Sequence, residues 1–500
     1  MSAIAVERVV IAGGGTAGWM AAAALSRLVG RPLSITLIES EEIGTVGVGE
    51  ATIPTLLTIN RLLNIPEPEF IRETQGTFKL GIQFENWLEE GHSYIHSFGD
   101  TGRGCWAGGF HHFWLRAQRA GQAASFGDYC PELKAAQANK FGILKEHKIN
   151  YAYHLDASRY GQYLRTMAEK SGVRRVEGKI DHVTLDPENG HITALTMASG
   201  ELIGGDLFID CTGFRALLIE QALQTGFDDW SHWLPCNRAL AVQSELHGEP
   251  PPFTKAIAHD AGWRWRIPLQ HRAGNGLVYC SDYLSDNDAR ERLLGAISEP
   301  TLIEPRAIRF TTGQRKQYWH KNCIALGLSS GFIEPLESTS IHFIQNGIMW
   351  LLLNFPDKFI ESTTVEEYNT RMRSEAEHIR DFIVLHYVAN QRHGDPFWDA
   401  CRHIDLPATL KHRMELFERT ARVFKPQDDV FSENSWVQVM MGQGIEPKSY
   451  HNIADSLSDK QLSDFMAQAK MHSDRIVDAL PPHGEFVRRY RAASGAPQIN

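Results

Sequence analysis

The chain begins with alternations of apolar and polar stretches that have the length of strands and helices. Arg8-Val9-Val10-Ile11-Ala12 is a short apolar run of the kind a parallel strand makes when both its faces are covered. Trp19-Met20-Ala21-Ala22-Ala23-Ala24-Leu25 follows with helix-forming residues, and Ser34-Ile35-Thr36-Leu37-Ile38 is a second apolar run ending at Glu39. The pattern predicts a βαβ unit. Its first turn is Gly13-Gly14-Gly15-Thr16-Ala17-Gly18, with the G-x-G-x-x-G spacing. Gly13 permits the tight turn, Gly15 lets a pyrophosphate approach the backbone, and Gly18 lets helix pack on strand. Free N–H groups of Thr16, Ala17 and their neighbours at the helix start attract phosphate. Glu39 stands where a carboxylate accepts hydrogen bonds from a ribose diol.

Further along, the same reading gives a mixed α/β chain. Gly44-Thr45-Val46-Gly47-Val48-Gly49-Glu50-Ala51-Thr52-Ile53-Pro54 is too glycine-rich for a helix or strand interior and reads as a loop with close backbone approach. Thr52 is placed to cap a helix over Leu56 to Leu63, and a second helix is expected from Glu67 to Gln75. Phe78 to Phe84 alternates, with Phe78, Leu80, Ile82 and Phe84 on one face. Lys79 then falls on the other face, and the pattern alone makes it a solvated lysine. A helix over Ala157 to Ser171, a turn at Glu188-Asn189-Gly190 and a strand over Leu207 to Asp210 follow. Gly262-Trp263-Arg264-Trp265-Arg266-Ile267-Pro268 alternates too, with Trp263, Trp265 and Ile267 on one face and Pro268 closing the strand. Those tryptophans form either packed core or an aromatic surface. The strand Asn322 to Gly327 leads into Glu334-Pro335-Leu336-Glu337-Ser338-Thr339-Ser340, then a helix from Ile341 to Asn354. From about Ser362 the pattern is helical: Val365 to His393, Ala408 to Phe424 and Ser458 to Met471.

Composition narrows the function classes. The net charge of −10 argues against a nucleic-acid partner. No run of apolar residues is long enough to span a bilayer, and the first strand starts too early to leave room for a signal peptide. The seven cysteines form no C-x-x-C pair, so neither a zinc site nor a disulfide framework is expected, and a cytoplasmic location fits best. His92, His96, His111 and His112 lie among aromatics between positions 91 and 150, but without metal-ligand spacing; that region, with Trp106, is either core or the wall of an aromatic pocket.

Taken together, Gly13-x-Gly15-x-x-Gly18, Gly49-Glu50-Ala51-Thr52-Ile53-Pro54, Lys79, Trp263-x-Trp265-x-Ile267-Pro268 and Glu334-Pro335-Leu336-Glu337-Ser338-Thr339 make the chain resemble the flavin-dependent tryptophan halogenases along nearly its whole length. The W-x-W-x-I-P stretch separates that family from flavin monooxygenases that share the glycine fingerprint. The resemblance implies an α/β fold: a doubly wound, monooxygenase-like FAD-binding box carrying a mainly helical pyramid. The box is expected over residues 1–360, interleaved with substrate-pocket segments at about 75–150 and 230–270, and the pyramid over 361–500. It implies Lys79 and Glu337 as catalytic residues. Cofactor contacts fall to Gly13, Gly15, Thr16, Ala17, Gly18, Glu39, Gly49, Ala51, Leu328 and Ile341. Thr339 and Ser340 are the halide residues; the family usually has glycine at the latter position, so a different halide pocket is expected. His96, Phe98 and Trp436 are expected at the indole pocket.

The implied chemistry uses FAD, delivered as FADH2 by a separate NAD(P)H-dependent flavin reductase, with oxygen and chloride or bromide as co-substrate. Hypohalous acid then reaches Lys79, which either hydrogen-bonds it or forms a haloamine. The haloamine needs a neutral amine, so burial would have to pull the lysine below about 10.4. A carboxylate at Glu337 orients the acid and accepts the ring proton. The paired tyrosines that hold the amino-acid group of tryptophan in the family have no clear counterpart in Asn434 to Met440. A small aromatic substrate, indole or an indole-bearing compound, is therefore favoured over free tryptophan. The alternatives are a tryptophan halogenase proper, a flavin monooxygenase that hydroxylates an aromatic, and a non-catalytic FAD-binding protein. The resemblance leaves room for a homodimer and implies no metal.

Overall fold

The computed structural model describes residues 5–30, 32–42, 49–105 and 108–492. The loop residues 43–48 and Trp106 singled out above lie outside the described residues. The first strand, Arg8–Ala12, sits inside a six-stranded sheet between Ser34–Glu39 and Leu207–Asp210, parallel to both. Val9, Val10, Ile11 and Ala12 are all buried, as expected for a strand covered on both faces. Cys323–Ala325 extends the sheet in parallel beyond Leu207–Asp210 and Arg174–Glu177 beyond Ser34–Glu39. The Thr16–Leu28 helix packs its alanine-rich face on this sheet, so the fingerprint turn lies at the carboxyl ends of the parallel strands.

A second sheet of seven strands faces the helical part. Its order is Arg306–Arg309, Arg238–Ser244, Ala273–Tyr279, Gly262–Pro268, Phe253–His259, Gly81–Glu85, Ser93–Ser97. All neighbours are antiparallel except Phe253–His259 with Gly81–Glu85. Pro268 ends its strand, as its missing N–H requires. Ile82, Phe84, Trp263, Trp265 and Val278 share one core with Phe382, Tyr387 and Trp398 of the helices behind it.

The alternation over Phe78 to Phe84 does not mark one strand. Thr77–Lys79 belongs to a three-stranded sheet with Ala152–Asp156 and Gly49–Ala51, whereas Gly81–Glu85 belongs to the seven-stranded sheet. The chain passes from one sheet to the other at Leu80, whose N–H donates to Pro252 and whose carbonyl accepts from Phe98. Period-two reasoning fails across such a junction, because both sides of the chain are covered. Lys79 is accordingly fully buried, not solvated.

Helix positions otherwise follow the sequence with shifted ends: Ala157–Lys170, Ser340–Leu353, Ser362–Val388, Ala408–Thr420 and Asp459–Ala479. Thr52 does not cap a helix. Its hydroxyl donates to the Tyr153 carbonyl and accepts the Tyr153 N–H, which ties the Gly49–Ala51 edge to its neighbour; the cap position falls at Thr55. The last described helix, His483–Ala492, packs back against the segment from Glu67 to Phe78. Tyr490 donates to Glu67 (2.5 Å), and His483 Nε2 accepts the Phe78 N–H, so this helix braces the strand that carries Lys79. No described helix is long and apolar enough to cross a membrane.

Candidate active site

A cavity of about 760 Å³ runs between the two sheets. At one end it is lined by Gly13, Gly15, Thr16, Ala17 and Glu39, and elsewhere by Gly49, Ala51, Leu328, Thr339, Ser340 and Ile341. Gly18 lies just behind the wall. A Cβ there would stand 1.9 Å from the Gly13 carbonyl oxygen, so glycine is what allows the helix to close on the turn. Gly13 itself has φ +109° and meets Cys211, a backbone state and a proximity that only glycine tolerates.

Two helix N-termini open on this cavity, Thr16–Leu28 and Ser340–Leu353, and neither has a side-chain cap. Their free N–H groups favour negative charge in two places. A long, two-ended, largely apolar cleft with an anion-attracting site at each of two helix starts fits a flavin dinucleotide. Glu39 is already engaged, accepting from Trp19 Nε1 at 3.2 Å and from Arg175 at 2.5 Å, with Arg165 beside it. The cleft also contains Glu50, half-buried, whose carboxyl desolvation pushes up to about 7.

The second group of predicted residues lies behind the wall, fully enclosed. Lys79 Nζ donates to the Thr52 carbonyl (3.0 Å) and to Ser338 Oγ (2.8 Å), and sits 5.1 Å from the centre of the Phe98 ring. Burial pulls the Lys79 ammonium down to about 7 against the pull of Glu337 in the other direction. Near neutral pH the amine is therefore partly uncharged, and both ways of handling a hypohalous acid are chemically open to it.

Glu337 is also fully buried. His96 Nδ1 lies 2.8 Å from Oε2, and His386 Nε2 lies 3.0 Å from Oε1, though off the line of a good hydrogen bond. Burial alone would raise this carboxyl. The two imidazoles overcome it and hold Glu337 down at about 2.

Ser338 joins the two groups. It lines the cavity on one side and receives the Lys79 hydrogen bond on the other. Its φ of +61° is a left-handed state that costs a non-glycine residue of order 1–2 kcal/mol. That turn sends Glu337 into the protein and Thr339 and Ser340 toward the cavity. Four residues before Ser338, buried Glu334 accepts from Trp263 Nε1 (2.8 Å) and from the Tyr387 hydroxyl (2.6 Å). The tandem-tryptophan strand thus grips the same loop, and desolvation pushes the Glu334 carboxyl up to about 7.

The sequence model of the family described as tryptophan halogenase matches residues 8–459. The chain belongs to the tryptophan halogenase family. A tryptophan 6-halogenase from Streptomyces albogriseolus is 32% identical, the alignment covering 98% of this chain and 99% of that one. Among solved structures, a flavin-dependent halogenase from Xanthomonas campestris is 54% identical with a TM-score of 0.96, covering 99% of this chain and 100% of that one. One from Brevundimonas sp. BAL3 is 41% identical with a TM-score of 0.93, covering 97% and 99%. The protein is a flavin-dependent halogenase with the mixed α/β box and helical part of that family.

In this halogenase, Lys79, Phe98, Glu337 and His96 come together, and Thr339, Ser340 and Ile341 line the cavity on the other side of the same loop. Trp436 does not join them. Arg413 covers one face of its ring at 3.9 Å, Phe382 meets it edge-on at 4.7 Å, and its Nε1 donates to Asp429. It is fully buried and stands behind Phe382, which separates it from His96. The sequence pattern alone assigns no role to Ser338, Glu334 or His386. The first two sit inside the E-P-L-E-S-T stretch, where the string itself was the signal. His386 had none: it is one histidine on a long helix, and only the fold brings it to Glu337.

Proposed function

We propose that this halogenase places an activated halogen on the ring of indole or an indole-bearing compound, with Lys79 and Glu337 as its catalytic residues. The observation that carries the reading is the Lys79–Ser338 hydrogen bond, because Ser338 is at once on the cavity wall and next to Glu337. Bound reduced FAD, supplied by a separate NAD(P)H-dependent flavin reductase, would with oxygen oxidise chloride or bromide to hypohalous acid. Gly13, Gly15, Thr16 and Ala17 would hold the dinucleotide end, and Gly49, Ala51, Leu328 and Ile341 the remainder.

Thr339 and Ser340 lie at a helix start that favours an anion, which suits a halide. Lys79 then receives the hypohalous acid. As an ammonium it donates a hydrogen bond that makes the halogen more electrophilic; as a free amine it takes the halogen and releases water. Glu337, ionised in its buried setting, orients the acid and accepts the proton that leaves the ring. Enclosure of Lys79 and Glu337 excludes bulk water, which would otherwise consume the oxidant.

The substrate class is argued from the Glu433–Gly442 helix, where an amino-acid anchor would be expected. Two of its polar side chains, Asn434 and Gln438, are engaged internally. Asn434 donates to Gly99 and accepts from Thr101, while Gln438 accepts from Ser97 and donates to Gly99. They hold the helix to Ser97, Gly99 and Thr101, and so are not free to partner a zwitterion, whose burial would then cost desolvation. In a reconstituted reaction with FAD, reductase, NADH, oxygen and bromide or chloride, we expect kcat/KM for indole to exceed that for free tryptophan by at least about tenfold. Competition between the two substrates, read by mass spectrometry, checks this. Faster consumption of tryptophan would overturn the substrate assignment.

A further inference from the structure

The long helix Ser362–Val388 contacts the catalytic loop through two consecutive residues. Tyr387 holds Glu334, and His386 faces Glu337. His386 is fully buried, and its ring is fixed by Phe84 at 4.7 Å, Phe382 at 5.5 Å and Trp87 at 5.9 Å between ring centres. Its Nδ1 lies 2.8 Å from the Phe382 carbonyl oxygen. A carbonyl only accepts, so Nδ1 carries a hydrogen. In a neutral imidazole that leaves a bare lone pair on Nε2, and this nitrogen is 3.0 Å from Glu337 Oε1. Two lone pairs at that distance in a dry site repel. A proton on Nε2 replaces that repulsion with attraction to Oε1 across 3.0 Å, off the hydrogen-bond line, while His96 Nδ1 holds the other oxygen.

We propose that His386 is a positioning residue for Glu337: pinned through Nδ1–H to Phe382, it holds a proton at Nε2 against Oε1 and keeps this buried carboxylate ionised. The proposal rests on the reading of Glu337 as the group that accepts the ring proton. The groups that face Glu337 are His386 from the long helix, His96 and Tyr94 from the Ser93–Ser97 strand, and Lys79 from Thr77–Lys79. Tyr94 is kept neutral, first by burial and then by the Glu337 charge. The sign follows from this set. Burial raises the Glu337 carboxyl and the imidazoles lower it. Removing one imidazole leaves burial less opposed, so Glu337 takes up its proton at a higher pH.

The test reads that proton directly. Infrared difference spectra of the purified enzyme are recorded across a pH titration, and the carboxylic-acid C=O band of Glu337 is assigned by its absence in Glu337→Gln. In the native protein the band should be absent down to about pH 4, below which most exposed glutamates have begun to protonate. In His386→Gln, whose amide can still donate to Phe382, the band should appear at least about one pH unit higher than in the native protein, and the acid limb of the kcat profile should move with it. A structural role alone would lower kcat at every pH and leave the band in place, and that result overturns the proposal. A native band present at neutral pH overturns it without any variant. A band that moves while the acid limb does not would leave the proton assignment standing and remove Glu337 from the chemistry.

Discussion

Lys79→Ala will bind FAD as the native protein does and will fail to halogenate. Lys79 is fully enclosed, its amine hydrogen-bonds to Ser338 on the wall of the large cavity, and the Phe98 ring lies 5.1 Å away. No other lysine is buried among the described residues, so no neighbouring amine can take its place. The loss should be about a thousandfold or more, in line with removal of a preorganised group that acts directly on the reacting atoms. FAD affinity, read by the quenching of flavin fluorescence, should stay within about threefold, since Lys79 does not line the cavity. Halogenated product at the native rate would remove Lys79 from the mechanism. Equal loss of product and of flavin binding would show that the variant had disturbed the fold.

The second large effect is expected for Glu337→Gln. Glutamine keeps the shape and one oxygen, so the loop and its left-handed turn at Ser338 should survive. It cannot accept a proton from the ring, and a loss of the order of 10²–10⁴ in kcat is expected for a missing general base. The neutral amide also removes the charge that faces His96 and His386. Single-turnover halogenation with indole, beside a thermal melt to show that folding is retained, measures the effect. Unchanged turnover would exclude Glu337 as the base.

The architecture near the start of the chain was legible because local rules act there alone. A strand buried on both faces, a glycine turn and an alanine-rich helix each carry their own signal, and nothing distant overrides them. Lys79 shows the opposite case. Its residue type and surroundings pointed to the family, yet the alternation around it pointed to solvent, because the rule assumes one strand and the chain changes sheets at Leu80. Trp436 was placed at the indole pocket from its position near the missing tyrosines. Arg413 and Asp429 arrive from other segments and enclose it, which no local pattern carries. His386 is the same problem reversed: an unremarked residue acquires a charged partner only when the long helix docks on the E-P-L-E-S-T loop. Pairings between distant segments are where the sequence was silent, and the catalytic loop consists mostly of such pairings.

We expect this fold to direct a flavin-derived oxidant into halogenation rather than hydroxylation. The most direct measurement is the mass of the product formed from indole when the native enzyme turns over with FAD, a flavin reductase, NADH, labelled oxygen and bromide. The expected product carries the paired isotope pattern of one bromine and no labelled oxygen. An indole product carrying labelled oxygen and no halogen would contradict that expectation.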